Sequence, residues 1–271
     1  MPKNSAPKVR SGATPKTSAS NVIQDPRQTL QTFTLADLQP YTFEGAYSRN
    51  ASPDVHLYYV GRDDVHDIFK HILSRVSVSL YLNMFGYDDP ELNAILMQLA
   101  ADPSVTMMVT LDATQANGLH EKGILTQDLL QNAAAYNTHF AIGQSPTHQI
   151  THTKGFVADG RVAVEGSTNW STSGEGIFVV AGKPGGPGYV AQNNTACVIA
   201  DPDTIVRFQT ELVREHMAVL SQEQAKKAAA AGSAGGSASA KPATATATKT
   251  AAKAATAKAK PVAAKSAKPA A

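Results

Sequence analysis

The sequence predicts an α/β domain: a mixed or largely parallel β-sheet flanked by helices, with disordered tails at both ends of a 271-residue chain. Three observations carry that reading. Strand-like and helix-like patterns alternate from Val55 to about Leu220. One of the strands, 105–111, is almost continuously apolar, as expected when both faces of a strand are buried. The ends are low in complexity: residues 1–20 are rich in Pro, Ser, Lys and Arg, and from 224 onward the chain is almost entirely Ala, Lys, Thr, Pro, Ser and Gly. Such segments bury too little apolar surface to offset the entropy of ordering. The expected organisation is therefore a basic segment 1–20, an extension 21–54, a domain 55–221 and a basic tail 222–271.

Residues 21–54 carry Leu30, Phe33, Leu35 and Leu38 at roughly helical spacing, broken by Gln39-Pro40, and read as an extension packed on the core. Residues 55–60 are β-rich. Val65, Ile68, Phe69, Ile72 and Leu73 recur at helical spacing, and 76–85 alternates like a strand. Asp88 or Asp89 caps a helix over 90–101, with Pro90 in its first turn. A further helix is expected over 123–134 and a short strand over 138–142. Segments 155–157 and 162–164 form a hairpin closed by Asp159-Gly160, a pair that favours tight turns. Residues 183–188, Lys-Pro-Gly-Gly-Pro-Gly, read as a surface loop. Residues 193–200 are the final strand. Asp201-Pro202 then opens a helix with Ile205, Phe208, Leu212 and Val213 on one face, closing the domain near Leu220.

The formal charge of +2 hides a division. The first segment holds +4 and the last +9, which leaves about −11 for the residues between them. Basic tails bind polyanions through counterion release; a merely solubilising role is an equal reading. The single cysteine, Cys197, lies in an apolar run and reads as a small buried hydrophobe. No apolar segment follows the N-terminal basic residues, and no apolar run reaches membrane-span length. A soluble cytoplasmic protein is expected; a non-standard export route would leave no readable mark.

The chemistry concentrates between His152 and Glu175. His152 and Lys154 are two residues apart, so on an extended strand they project from one face. Histidine can act as a covalent nucleophile near neutral pH, and Lys154 is a compact charge able to stabilise a phosphoryl transition state. Gly166-Ser167-Thr168-Asn169 ends the return strand with a glycine that allows close approach to a ligand; Ser167 and Asn169 can donate to phosphate oxygens. Trp170 reads as packing for the hairpin. His120-Glu121-Lys122 lacks the residues that follow His152 and Lys154, and His139 and His148 stand alone. No convincing metal cluster is visible, although His56 and His66 stay open as ligands.

H-x-K, four residues, Asp, six residues, G-S-x-N resembles the motif of the phospholipase D superfamily, with His152, Lys154, Asp159, Gly166, Ser167 and Asn169 all matching. The resemblance spans roughly residues 55–220 and implies a phospholipase D-like sandwich. It also implies a metal-independent phosphodiesterase that forms a phosphohistidine and uses no cofactor. Glu175 sits where related bacterial endonucleases carry an acid. Asp159 and Glu175 are the candidates for orienting the imidazole or its loop, and the resemblance favours Glu175 as the contact. Two motif copies build one site in this family. A chain with one copy resembles the bacterial endonucleases that dimerise to complete it, so a homodimer is implied. The catalytic set is then His152, Lys154, Asp159, Asn169 and Glu175, with Lys154, Ser167 and Asn169 holding the phosphate. An endonuclease acting on DNA or RNA through this site and the basic tails is the leading expectation. A phospholipase D acting on phosphatidyl headgroups and a catalytically silent nucleic-acid-binding protein are the alternatives.

Overall fold

The computed structural model describes residues 29–43, 51–145 and 150–234. The segment 1–20 and most of the lysine-rich tail lie outside the described residues, as does His148. The expected alternation is the one observed: a mixed seven-stranded sheet with helices on both faces. Its strands are β1 (Val55–Tyr59), β2 (Ser79–Met84), β3 (Thr106–Asp112), β4 (Phe140–Gly143), β5 (Lys154–Ala158), β6 (Val162–Gly166) and β7 (Thr195–Ile199). They are ordered β1-β7-β6-β5-β2-β3-β4. Strands β2, β3 and β4 are parallel, and every other pairing is antiparallel.

Helices α1 (Val65–Leu73) and α2 (Pro90–Ala101) and the kinked α3 (Leu119–His139) belong to the larger core, with Leu80, Leu82 and Met84 of β2 facing it. The capping alternative at α2 is decided by Asp89, whose carboxylate accepts from the Glu91 and Leu92 amides. Two short 3-10 turns, Leu30–Thr32 and Leu35–Tyr41, seat Leu30, Leu35 and Leu38 in the same core. A short helix, α4 (Ile177–Val180), lies where no element was expected.

The opposite face is covered by α5 (Pro202–Ala234), capped by Asp201, which accepts from the Thr204 amide at 2.7 Å. Ile205, Phe208 and Leu212 of α5 pack on Val157 and Ala163. The helix runs well beyond Leu220, into the segment expected to lack structure. Its composition explains this: alanine and lysine are among the best helix formers, so a helix already begun is prolonged without burying anything. From Gln224 to Ala231 every residue is exposed. Among the described residues no helix is long and apolar enough to cross a membrane.

Strand β5 runs antiparallel to β2, with Lys154 opposite Met84. The start of β5, the end of β6 and the C-terminal ends of β2, β3 and β4 therefore share one edge of the sheet. In open α/β sheets that edge is where ligands bind.

Candidate active site

His152 lies just before β5 and is exposed, whereas Lys154, the first residue of the strand, is buried. The pair was expected to project side by side from one strand. Instead the lysine folds back. Its Nζ donates to the His152 carbonyl at 2.9 Å and sits 3.2 Å from His152 Nε2. Phe85, immediately after β2, supports both. The imidazole lies 4.5 Å from its ring, centroid to centroid, and the ammonium sits 4.8 Å from the ring centre. Burial pushes the Lys154 ammonium below its usual range, opposed by the charge of Glu165. An ammonium has no lone pair to offer, so the contact to Nε2 requires that nitrogen to be the acceptor and Nδ1 to carry the proton.

Asn169 lies in the turn after β6, at the same end of the sheet. Its Oδ1 accepts from the Gly86 amide at 3.2 Å, which leaves the side-chain NH2 as the donating end. The hydroxyl of Ser167 accepts from the Thr195 amide at 3.0 Å, and the Ser167 amide donates to the Thr195 carbonyl at the same distance. Thr195 also explains Gly166. A Cβ at that position would stand 2.2 Å from the Thr195 carbonyl oxygen, so the glycine serves the junction with β7 rather than close approach to a ligand. Trp170 is buried beside Phe69, Phe156 and Tyr87.

The two candidate acids lie elsewhere. Asp159 is at the far end of β5, roughly 20 Å from His152 at about 3.3 Å per extended residue. It opens the turn to β6 with φ of 52° and is followed by Gly160 at 61°, the pattern of a type I′ turn. Its carboxylate accepts from the amides of Ser77, Val78 and Ser79 and from the Ser77 hydroxyl, at 2.8–3.2 Å. It holds the hairpin to the start of β2.

Glu175 is buried and pairs with a different histidine, accepting from His66 Nδ1 at 2.5 Å. Asp89 Oδ2 is 3.7 Å from the same nitrogen. Burial opposes charge on His66, but the hydrogen bond and charge of Glu175 prevail and push it up to about 9. Burial likewise raises Glu175, to about 8, against the pull of His66. Both shifts point one way: the buried pair holds a shared proton tightly, and we place it on His66. The pair ties α1 to the turn that follows Asn169. His66, Asp89 and Glu175 are the one group among the described residues whose potential metal-ligand atoms lie within 4.8 Å of one another.

Sequence reasoning thus left out Phe85 and Gly86, and kept His66 open as a ligand without its pairing to Glu175. Phe85 carried a weak signal, an aromatic residue closing an alternating strand. The His66–Glu175 pairing carried none, because the two residues are 109 positions apart. Four other histidines have partners of their own: His56 Nδ1 lies 3.1 Å from the Tyr58 hydroxyl, His71 Nδ1 3.0 Å from the Tyr41 hydroxyl, His139 Nδ1 3.1 Å from the Met107 carbonyl and His216 Nδ1 3.0 Å from the Thr110 hydroxyl.

No family profile matches the chain, and no curated protein does. Among solved structures, the chain is similar to a phospholipase D family member, Nuc, from Salmonella typhimurium (15% identity, TM-score 0.45, 59% of this chain and 92% of that one). It is similar to NucT from Helicobacter pylori (12% identity, TM-score 0.43, 59% and 94%). It also resembles phosphatidylserine synthase from Haemophilus influenzae (12% identity, TM-score 0.42, 60% of this chain and 39% of that one).

Proposed function

We propose that the chain is a phosphodiesterase of the phospholipase D type that works through a phosphohistidine, with His152, Lys154 and Asn169 contributed by each of two copies. The observation that carries this is the exposed His152 imidazole with the Lys154 ammonium 3.2 Å from its Nε2, at the ligand-binding edge of the sheet. A phosphate entering there takes the lysine protons for its own oxygens and frees the Nε2 lone pair at the same moment.

The steps then balance. Nε2 of one His152 attacks phosphorus, the bond to the leaving alcohol breaks, and the leaving oxygen takes a proton from the second copy's His152. Water next attacks the phosphohistidine, giving a proton to that second imidazole, and the P–N bond breaks to regenerate the first. Lys154 and the Asn169 NH2 hold the charged oxygens throughout. The reaction needs one nucleophile and one acid, and each chain brings a single such exposed histidine with its lysine to this edge among the described residues. That requirement supports the dimer.

Two observations bear on substrate. The lysine-rich terminal segments support a nuclease. The acidic central domain, with Glu165 drawing on Lys154, supports a substrate less charged than a nucleic acid.

The test is a panel in EDTA with the wild type and His152→Ala. It contains bis(p-nitrophenyl) phosphate, plasmid and single-stranded DNA, RNA, and phosphatidylcholine vesicles. Hydrolysis that disappears in the variant, with a trapped phosphoenzyme in the wild type, is the expected result. Silence on every substrate with DNA still retained sinks the enzyme and leaves the nucleic-acid-binding protein.

A further inference from the structure

Beside His152, between α5 and the sheet, lies a trough of about 490 Å³. Two exposed carboxylates line it, Glu165 near the end of β6 and Glu211 on α5. Part of the lining is apolar. Ile150 is 39% exposed, and Phe208 lies across Gly155, where a Cβ would stand 2.7 Å from its ring.

The charge of this trough is not balanced from within. Arg214 is the one guanidinium on its wall, and α5 itself uses it: it lies 2.7 Å from Glu211 and 3.2 Å from Glu215. Among the described residues no cation pairs directly with Glu165; the buried Lys154 is bonded back to the His152 carbonyl instead. Three carboxylates therefore face one guanidinium. An acidic wall beside a phosphate site repels the anion that the site is to receive, unless something covers it.

The chain carries the complement. Residues 235–271 hold seven lysines and no acid, whereas residues 21–223 carry about −11. A lysine suits both parts of the lining, with its methylene stem along apolar surface and its ammonium at a carboxylate. The reach is sufficient. From Glu215 to Ala234, α5 runs roughly 28 Å at 1.5 Å per residue. From Ala234 to Lys249 the contour extends up to about 50 Å at 3.3 Å per residue, so lysines from 249 onward can double back. Each exposed ion pair is weak. Covalent attachment offsets this by holding the lysines at an effective concentration of about millimolar.

We propose that this trough is the docking surface for the chain's own lysine-rich tail, residues 249–268, with ammonium groups at Glu165 and Glu211 and stems against Phe208 and Ile150. His152 lines the same trough, so a docked tail covers it. A polyanion competes for the same lysines, because an ammonium paired with a phosphate or sulfate is lost to the carboxylates. Polyanions therefore lift the tail and uncover the imidazole. The docking stands on the trough alone; its effect on turnover rests on the phosphodiesterase reading.

The first test is carbodiimide cross-linking of the full chain, which joins a lysine amine to a carboxylate in contact with it, read by peptide mass spectrometry. Tail lysines are expected to couple to Glu165 or Glu211 at least about fivefold more often than to exposed carboxylates elsewhere, such as Asp37 and Asp102, and short heparin is expected to abolish the preference. Coupling that is absent, or spread evenly over the domain, overturns the docking. The second test is fluorescence anisotropy of a labelled peptide of residues 241–271 added to the full chain with its seven tail lysines changed to glutamine. Glu211→Gln in that background, checked for folding by a thermal melt, is expected to weaken binding at least about threefold. Unchanged binding also overturns the docking. Hydrolysis of bis(p-nitrophenyl) phosphate then reads the covering of His152. The glutamine-tail chain is expected to be about three- to tenfold faster than the wild type, and heparin to speed the wild type alone. Equal rates overturn the covering. Cross-links at the trough with no hydrolysis in any variant sink the phosphodiesterase and keep the docking; hydrolysis with scattered cross-links does the reverse.

Discussion

The two ends of the β5–β6 hairpin are built from the same short motif and are opposite in character. At one end His152 is exposed, its imidazole meets the Lys154 ammonium, and Asn169 has an amide end left to donate. At the other, Asp159 accepts four hydrogen bonds and closes a turn that few other residues could make. Chemistry needs groups whose bonds are unfinished, and architecture needs groups whose bonds are complete. Reading all the motif's polar residues as one catalytic set merges these two requirements.

The contrast can be broken most sharply at His152. His152→Ala is expected to lower phosphodiester hydrolysis by roughly 10³-fold or more while leaving the melting temperature within about 2 °C, since the side chain is exposed. Asp159→Ala is expected to do the reverse. It should lose about 2–3 kcal/mol in urea unfolding, because several backbone amides lose their acceptor, and keep turnover within about threefold below its unfolding transition. Equal damage to turnover in both variants would erase the distinction.

A third test concerns the pair behind the site. His66 is raised from 6.5 to about 9 in the folded chain. The folded state therefore holds the proton more tightly than the unfolded one, and this stabilisation is complete below pH 6.5 and lost as pH rises through 9. The raised Glu175 reports the same shared proton, not a second one. The melting temperature should fall by several degrees between pH 6.5 and 9, and the slope should flatten in Glu175→Gln; an unchanged slope would detach the pair from stability. The smallest effect is expected at Phe85. Phe85→Ala removes the surface beneath both His152 and Lys154, and a roughly two- to fivefold loss in kcat/KM should follow, in line with a cation–π contact of about 0.5–1 kcal/mol.

Much of this was legible from the sequence, because the information was local. The alternation of periods gave the strands and helices, Asp159-Gly160 gave its turn, and His152, Lys154 and Asn169 do gather at one edge. The remoteness of Asp159 was in principle legible too: a five-residue run of strand from Lys154 already carries the chain too far for both to share a pocket. What could not be read were pairings across long separations, such as Glu175 with His66 or Gly166 with Thr195, and cavities formed where α5 meets the sheet. The length of α5 escaped for another reason. Composition showed that residues beyond 223 bury nothing, but a helix prolonged from a packed portion needs no burial of its own.

That helix has a mechanical consequence. Its last anchors to the sheet are Gln222 and Glu223, which bond the Gln144 carbonyl and the Ile142 amide. From there to Ala234 it advances about 1.5 Å per residue, or roughly 16 Å, with every residue from Gln224 to Ala231 exposed. The lysine-rich remainder of the chain thus starts at the tip of a boom. Under the proposed nuclease reading, a polyanion held by those lysines would be moored at a standoff from the edge that carries His152.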